Sequence, residues 1–303
     1  MPAKLILFER GFSLKIAVAG STGILGRAVI PLLVQQGHEV LALARSAEKA
    51  KASLPAGVEI VECDLLSLDL ERTIGSFISG CEAVLHIATA IPRDFSVPDA
   101  WDANTRLRTD VVRILLRASL EAGVKRYIQQ SITMAYPDRG EEWITEDTPL
   151  DTSPERAWLC GPVIEMEEMI RKISSHDLHW CILRGGSFVG RGTFQDAMIG
   201  NLRAGWEIIP CDGRNFISLI HVADMATAVV AALDYAPAGS IFNVVDEPWR
   251  QNEYGDRLAI SIGADKPKRD ENSACPPSWR CSNQSARSTL NWQPVHDIFR
   301  GKE

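Results

Sequence analysis

Three glycines at three-residue spacing, Gly20, Gly23 and Gly26, and one arginine, Arg45, are the residues whose types and placement point most directly to chemistry. The glycines lie in Val18-Ala19-Gly20-Ser21-Thr22-Gly23-Ile24-Leu25-Gly26, directly after a short apolar run and at the opening of a helical pattern. In that setting Gly20 permits a tight turn, Gly23 lets the backbone approach a pyrophosphate with no Cβ in the way, and Gly26 lets helix and strand pack closely. The helix N-terminus then offers unpaired N–H groups and the positive end of its dipole to phosphate. Gly20, Ser21, Thr22, Gly23, Ile24, Leu25 and Gly26 are therefore expected to hold a dinucleotide. A glycine-rich turn without ligand is the alternative.

Arg45 chooses between dinucleotides. The end of the second strand usually carries Asp or Glu where NAD binds, to accept hydrogen bonds from the ribose hydroxyls. This chain has Ala44-Arg45-Ser46. An arginine cannot accept those bonds, but its guanidinium matches a 2′-phosphate. NADP is expected over NAD, with an ordinary exposed arginine as the other reading. Asp64 and Leu65 follow the third strand, where the carboxylate either accepts from the adenine amino group or caps the next helix. Ala88, Thr89 and Ala90 follow the fourth strand, where small residues suit close passage of a cofactor and equally fill a crowded core.

The elements that must position these residues alternate regularly. Strands are expected over Lys15–Ala19, Glu39–Ala44, Val58–Glu62, Ala83–Ile87, Arg126–Gln130 and Trp180–Leu183. Helices are expected over Leu25–Gln36, Leu68–Ile78, Thr105–Glu121 and Val163–Ser174, with a further strand and helix at Ile217–Ile220 and Val222–Leu233. Short apolar runs alternating with 3.6-residue periodicity predict an α/β fold, a Rossmann-type doubly wound parallel sheet. Residues 1–14 read as an N-terminal extension, 15–184 as the NADP-binding Rossmann domain, to which 218–245 return, and the glycine-rich 185–217 with 246–303 as a smaller C-terminal substrate lobe. Trp143, Trp158, Phe188, Phe194 and Trp206 fall in loop-rich stretches and either line an apolar substrate pocket or belong to the core.

Composition narrows the partners. The chain has 303 residues, 46% of them hydrophobic, and a formal net charge of −7. That charge supplies no broad basic field, so nucleic acid is not expected as a partner. No apolar run approaches the roughly 20 residues that span a bilayer. The N-terminal patch Leu5-Ile6-Leu7-Phe8 is cut short by Glu9 and Arg10, so no signal peptide, no membrane association and a cytoplasmic location are expected. The seven cysteines are scattered with no CxxC pair, which favours reduced thiols over disulfides, and the six histidines show no zinc spacing, so no metal is expected. The expected partner is a small-molecule substrate, the chain acting as monomer or homodimer.

Together these segments resemble the short-chain dehydrogenase/reductase superfamily in its extended or atypical branch, the group often labelled NAD-dependent epimerase/dehydratase. The resemblance runs through AGSTGILG at 19–26, the CDL around Asp64, LHIATA at 85–90, AGVKRYIQQSI at 122–132, ILRGGSFVGRGT at 182–193, LIHVADMATAV at 219–229, FNVVDEP at 242–248 and LNWQPVHDIFRG at 290–301. It implies a Tyr-x-x-x-Lys pair for proton transfer. Taking Glu168 as the glutamate four residues beyond that lysine, Cys160 and Ile164 occupy the two slots, and Ile132 the slot of the usual serine. Tyr136, in the loop leaving the fifth strand, is then the candidate proton donor, with packed loop aromatic as the alternative. Ser131 and Thr133 are candidates to bind a carbonyl oxygen, or else bond to strand-end backbone. His221 and Asp224 read as structural, Arg184 as a support of the site, and Cys160 as a buried thiol. The expected function is an NADPH-dependent oxidoreductase, a reductase of a small organic substrate with an apolar portion. A non-catalytic NADP sensor, and an epimerase or dehydratase with relocated catalytic residues, are the alternatives.

Overall fold

The computed structural model describes residues 13–92 and 99–299. The expected extension over 1–14 thus lies almost wholly outside the described residues. Seven strands form one sheet: β1 (Lys15–Ala19), β2 (Glu39–Ala44), β3 (Glu59–Glu62), β4 (Ala83–His86), β5 (Arg126–Ile132), β6 (His179–Gly185) and β7 (Ser240–Val244). Their order is β3-β2-β1-β4-β5-β6-β7 and every pairing is parallel. The chain builds outward from β1 to β3, then returns across β1 to place β4 on its other side. Turns on either side of that reversal diverge, and the crevice they leave at the carboxyl edge is where ligands bind in such sheets.

The α-helices of the described residues are α1 (Ile24–Gln35), α2 (Ala47–Ser53), α3 (Leu70–Phe77), α4 (Asp102–Arg108), α5 (Asp110–Glu121), α6 (Ala157–Arg171), α7 (Phe194–Ala204), α8 (Val222–Tyr235), α9 (Gln251–Ser261) and α10 (Gln284–Thr289). They cover both faces of the sheet, which is why its inner strands read as continuous apolar runs. Strand periodicity divides the core in two. Ile16, Val18, Leu85, Ile128 and Leu183 point to one face and meet α1 and α8. Ala17, Ala19, Val84, Tyr127 and Ile182 point to the other and meet α3, α5 and α6. A third cluster, built on Val189, Ile199, Leu202, Tyr254, Leu258 and Phe299, holds α7 and α9 together.

Two helices differ from expectation. Thr105–Glu121 is not one helix but α4 and α5, broken at Thr109 (φ −103°, ψ −73°). The Thr109 hydroxyl donates to the Thr105 carbonyl at 3.1 Å, and such back-bonding bends a helix. The helix expected from Val163 begins at Ala157 and carries Pro162 inside it. Burial of Leu159 and Cys160 in its first turn, continuous with Val163 and Met166, holds it through the proline.

The region near the C-terminus is fastened to α8. The His221 ring nitrogen Nδ1 accepts from the Ala223 N–H and caps the helix. The fully buried Asp224 carboxylate accepts from the N–H groups of Val295 (3.1 Å) and His296 (2.9 Å) and lies 2.7 Å from His296 Nδ1. Trp292 Nε1 donates to the Asp224 carbonyl at 3.1 Å. His221 and Asp224 thus join the start of α8 to the segment near residue 295.

One cysteine expectation is corrected. Cys211 and Cys275 form a disulfide across 64 residues of sequence, while Cys63, Cys81, Cys160, Cys181 and Cys281 are free and buried. The Cys211 amide donates to the Asp270 carbonyl, and β-type pairing of residues 268–270 with 208–210 brings the two cysteines together, a proximity that sequence spacing does not show. Closing a loop of that length stabilises a fold by about 4 kcal/mol in the chain-entropy description. A Cys211→Ser/Cys275→Ser protein should unfold at lower denaturant concentration by up to that amount. Reductant should destabilise the parent alike and leave the double variant unmoved; a parent indifferent to reductant would show that the bridge carries no stability.

Candidate functional site

At the carboxyl edge of the sheet lies a cavity of about 530 Å3, bounded by the turn after β1, the ends of β2 to β5 and the first residues of α1. Gly20, with φ +98°, starts the turn in a conformation that suits glycine, and a Cβ there would lie 2.6 Å from the Ala88 amide nitrogen. A Cβ on Gly26 would lie 2.2 Å from the Gly20 carbonyl oxygen. The turn, the end of β4 and α1 therefore meet with no room for side chains. Gly23, the N-cap of α1, supplies no side-chain cap, and the first turn carries no acidic residue. The opening N–H groups and the positive end of the dipole thus face the cavity, where Gly23, Ile24 and Leu25 form its wall.

Of the residues expected to hold a dinucleotide, Gly20, Thr22, Gly23, Ile24, Leu25, Arg45, Asp64, Leu65, Ala88, Thr89 and Ala90 line this cavity. Ser21 and Gly26 do not. The Ser21 hydroxyl donates to the Leu43 carbonyl at 2.7 Å and ties the turn to β2, while Gly26 packs α1 against the turn. Arg45 is exposed and makes no hydrogen bond or ion pair to another described residue, so its guanidinium is available to a ligand. Asp64 is exposed and Oδ1 accepts from the Leu66 amide at 3.0 Å, bracing its own turn. The next helix, α3, starts further on, so Asp64 does not cap it. Two sets of donors, an open helix N-terminus and a lone guanidinium, with a carboxylate acceptor at Asp64, fit a phosphate-bearing dinucleotide.

The three hydroxyls expected to do chemistry are placed elsewhere, and that expectation is corrected. Alternation along β5 puts Ser131 on the face of Tyr127 and Gln129, beneath α6, where its hydroxyl donates to Glu167 Oε1 at 2.7 Å. Thr133 is buried and donates to the Gly185 carbonyl at 3.3 Å. A single 3-10 turn at Thr133–Ala135 then swings Tyr136 under the sheet edge, where it is fully buried. Its hydroxyl donates to Asn243 Oδ1 (2.8 Å) and accepts from Arg184 Nη1 (2.6 Å). Burial pushes the Tyr136 phenol well above its ordinary range. None of the three lines the cavity.

These hydroxyls belong to a buried polar cluster built on an ion pair. Arg184 Nη2 and Nε donate to the two Glu167 carboxylate oxygens at 2.6 and 3.0 Å, with both side chains 3% exposed. Glu167 rather than Glu168 is thus the buried glutamate of α6. Anchoring the register on Glu167 moves the slots of the proton-transfer pair to Leu159 and Val163, which are as apolar as Ile164. Cys160 lies 3.8 Å from the Ala135 carbonyl, and burial pushes its thiol up, so it stays protonated.

Sequence reading missed His86, Tyr127 and Gln129, which bond to one another, and Gln130 in the cavity wall. The Tyr127 hydroxyl donates to Gln129 Oε1, and His86 Nδ1 lies 3.0 Å from the same oxygen, which makes Nδ1 the protonated nitrogen. Burial, reinforced by the Arg108 charge, holds the His86 imidazole down to about 4. Gln130 lines the cavity with Phe188. The signal for Gln130 was the period of two along β5, which turns it opposite to Ser131.

The family model for the NAD dependent epimerase/dehydratase family matches residues 16–244. A 3-diazoavenalumate denitrifying reductase from a Streptomyces species is 30% identical over 95% of this chain and 98% of its own length. A 4-hydroxy-2-methyl-3-oxo-4-farnesyl-3,4-dihydroquinoline-1-oxide ketoreductase from Stigmatella aurantiaca is 25% identical over 76% of this chain and 67% of its own. Among solved structures, the dTDP-glucose 4,6-dehydratase DesIV of Streptomyces venezuelae, with NAD bound, superposes with a TM-score of 0.77 at 18% identity, covering 94% of this chain and 93% of that one.

Two outcomes follow from the buried polar groups. Tyr136→Phe should lower the unfolding free energy by about 1–3 kcal/mol, because Asn243 and Arg184 lose a buried partner. Dinucleotide affinity should stay unchanged; a loss of affinity with full stability would put the hydroxyl at the cavity after all. For His86 the folded pKa lies below the ordinary value of 6.5, so as pH falls the unfolded chain takes up the proton first. Its contribution is present above pH 6.5 and is lost between 6.5 and about 4, by about 3 kcal/mol in all. Urea midpoints measured across that range should fall less steeply in His86→Gln than in the parent; parallel slopes would remove His86 from the account.

Proposed function

Since the chain belongs to the NAD dependent epimerase/dehydratase family, and is in general terms an NAD(P)-dependent oxidoreductase, we propose that it is an NADPH-dependent reductase of a small organic acceptor with an apolar portion. The observation that carries this reading is the pairing of a lone guanidinium, Arg45, at the end of β2 with apolar residues in the slots of the proton-transfer pair. Arg45 suits a 2′-phosphate and not free ribose hydroxyls. When bound, the nicotinamide supplies hydride. This chain's residues hold and orient it, and the lobe over 185–217 and 246–303 is assigned to the acceptor.

The apolar slots select among acceptors. A ketone reduced to an alcohol needs a proton on oxygen as hydride arrives, a task that suits an ionisable side chain at the reacting centre. Leu159, Val163 and Ile164 supply none, the buried Cys160 thiol faces the Ala135 carbonyl, and the hydroxyls of Ser131, Thr133 and Tyr136 are bound within the core. An acceptor that is already cationic removes the need. At a diazonium carbon, hydride forms the C–H bond, the C–N bond breaks with its electron pair leaving on dinitrogen, and no proton enters the balance. The relative named as a denitrifying reductase of a diazo compound supports that direction. Epimerisation or dehydration of a sugar alcohol asks for reversible removal of a hydroxyl proton, which the same positions do not serve.

NADPH should bind more tightly than NADH by about 1–3 kcal/mol, and Arg45→Ala should erase most of that difference. Equal affinities in the parent would defeat the cofactor assignment. In the same assay, NADPH oxidation should be faster with an arenediazonium carboxylate than with the matching aryl ketone; the reverse order would defeat the acceptor assignment.

A further inference from the structure

Gln130 is the third-from-last residue before the turn that buries Thr133, and it stands on β5 with its side chain toward the cavity. Its neighbours in sequence point away: Gln129 donates to the His86 and Gln130 carbonyls, and Ser131 bonds to Glu167. The Gln130 side-chain amide makes no hydrogen bond to another described residue. It is half-buried. Across the cavity stands Phe188, whose ring edge would lie 3.3 Å from a Cβ on Gly185, so the missing side chain at Gly185 is what gives the ring its place.

The strand order fixes which part of a dinucleotide meets them. Arg45 and Asp64 end β2 and β3 on one side of β1. The open N-terminus of α1 lies at β1, and Gln130 on β5 and Phe188 after β6 stand on the other side. A dinucleotide laid over this edge with its phosphates at α1 and its adenosine toward Arg45 brings its second ring to Gln130 and Phe188. That ring carries a carboxamide, with one acceptor oxygen and two donor hydrogens. A glutamine amide offers the complementary set, and two such bonds fix a planar group in orientation.

We propose that Gln130 is the positioning residue for the nicotinamide, pairing its side-chain amide with the ring carboxamide while Phe188 lies against one ring face. The role rests on the reading of the cavity as a nicotinamide dinucleotide site. Gln130 holds the ring without titrating, which suits hydride delivery that draws no proton from the protein.

The test is made by calorimetric binding to the folded protein, with folding checked by circular dichroism. NADP+ and NAD+ are each compared with the fragment lacking nicotinamide, 2′-phospho-ADP-ribose and ADP-ribose, and NADP+ with its nicotinic acid analogue, in which carboxylate replaces carboxamide. Gln130→Leu should weaken both dinucleotides about tenfold, the loss of two ordinary hydrogen bonds. Both fragments should change less than twofold, and the parent's preference for carboxamide over carboxylate should vanish. Gln130→Glu, of the same shape but acceptor only, should keep a bond to the carboxamide N–H and repel the carboxylate analogue, so there the preference should widen. Undiminished dinucleotide binding in Gln130→Leu, or an equal loss on the fragments, would overturn the proposal. The 2′-phosphate assignment is read separately from the NADP+ to NAD+ ratio in the parent, and failure of every dinucleotide to bind the parent would overturn both.

Discussion

The site depends on a contact too close for a side chain. The Gly20 carbonyl stands where a Cβ of Gly26 would have to be, and the Gly20 α-carbon stands against the backbone of Ala88. Backbone therefore meets backbone at the one place where β1, β4 and α1 converge. That closeness fixes the start of α1 at the sheet edge, and with it the direction of the helix dipole and the row of open N–H groups. Ser21, with its hydroxyl on the Leu43 carbonyl, extends the same rigidity to β2 and so to Arg45 at its end. The start of α1 and the Arg45 end of the cavity are held by one small turn.

The far end is held by a different kind of force. The Arg184–Glu167 pair is nearly inaccessible to water, and such a pair costs much of its attraction in desolvation. Its effect here is to organise. Glu167 takes the Ser131 hydroxyl, Arg184 takes the Tyr136 hydroxyl, and Asn243 on β7 completes the set. Polar groups that chain order brings to the reactive edge are drawn beneath it, and the cavity is left with neutral amide, hydroxyl and aromatic side chains on that side. Removing one member of such a pair would leave a charge buried without its partner, which is far more costly than the pair itself is stabilising.

The parts legible in sequence are those set by local chemistry. The glycine turn announces itself because no other residue fits, and the parallel strands because burial on both faces makes them continuously apolar. Arg45 could be placed at the end of β2 by counting. Tyr136, Ser131 and Thr133 could be counted to the same edge, but facing is decided by strand parity and by a single 3-10 turn, and both turn these residues inward. Gln130, one residue from Ser131, inherits the opposite facing. The buried glutamate of α6 was off by one position because Glu167 and Glu168 are adjacent, and only the partner on β6 distinguishes them. The break at Thr109 and the Cys211–Cys275 bridge rest on contacts that periodicity does not encode.

The fastening of residues 292–296 to Asp224 bears on the order in which the molecule is completed. Asp224 sits in the first turn of α8, and α8 is the helix that packs along α1 on the same face of the sheet. Trp292 belongs to that shared core. During synthesis the turn at Gly20 leaves the ribosome first, yet the helix that covers α1 emerges some two hundred residues later and its clasp later still. Contacts this distant in sequence close late, after their loop entropy has been met. The segment that reads most plainly as a binding loop is thus among the first made and among the last to be fully supported, so a nascent chain truncated before residue 292 would carry the motif without the packing that holds it in shape.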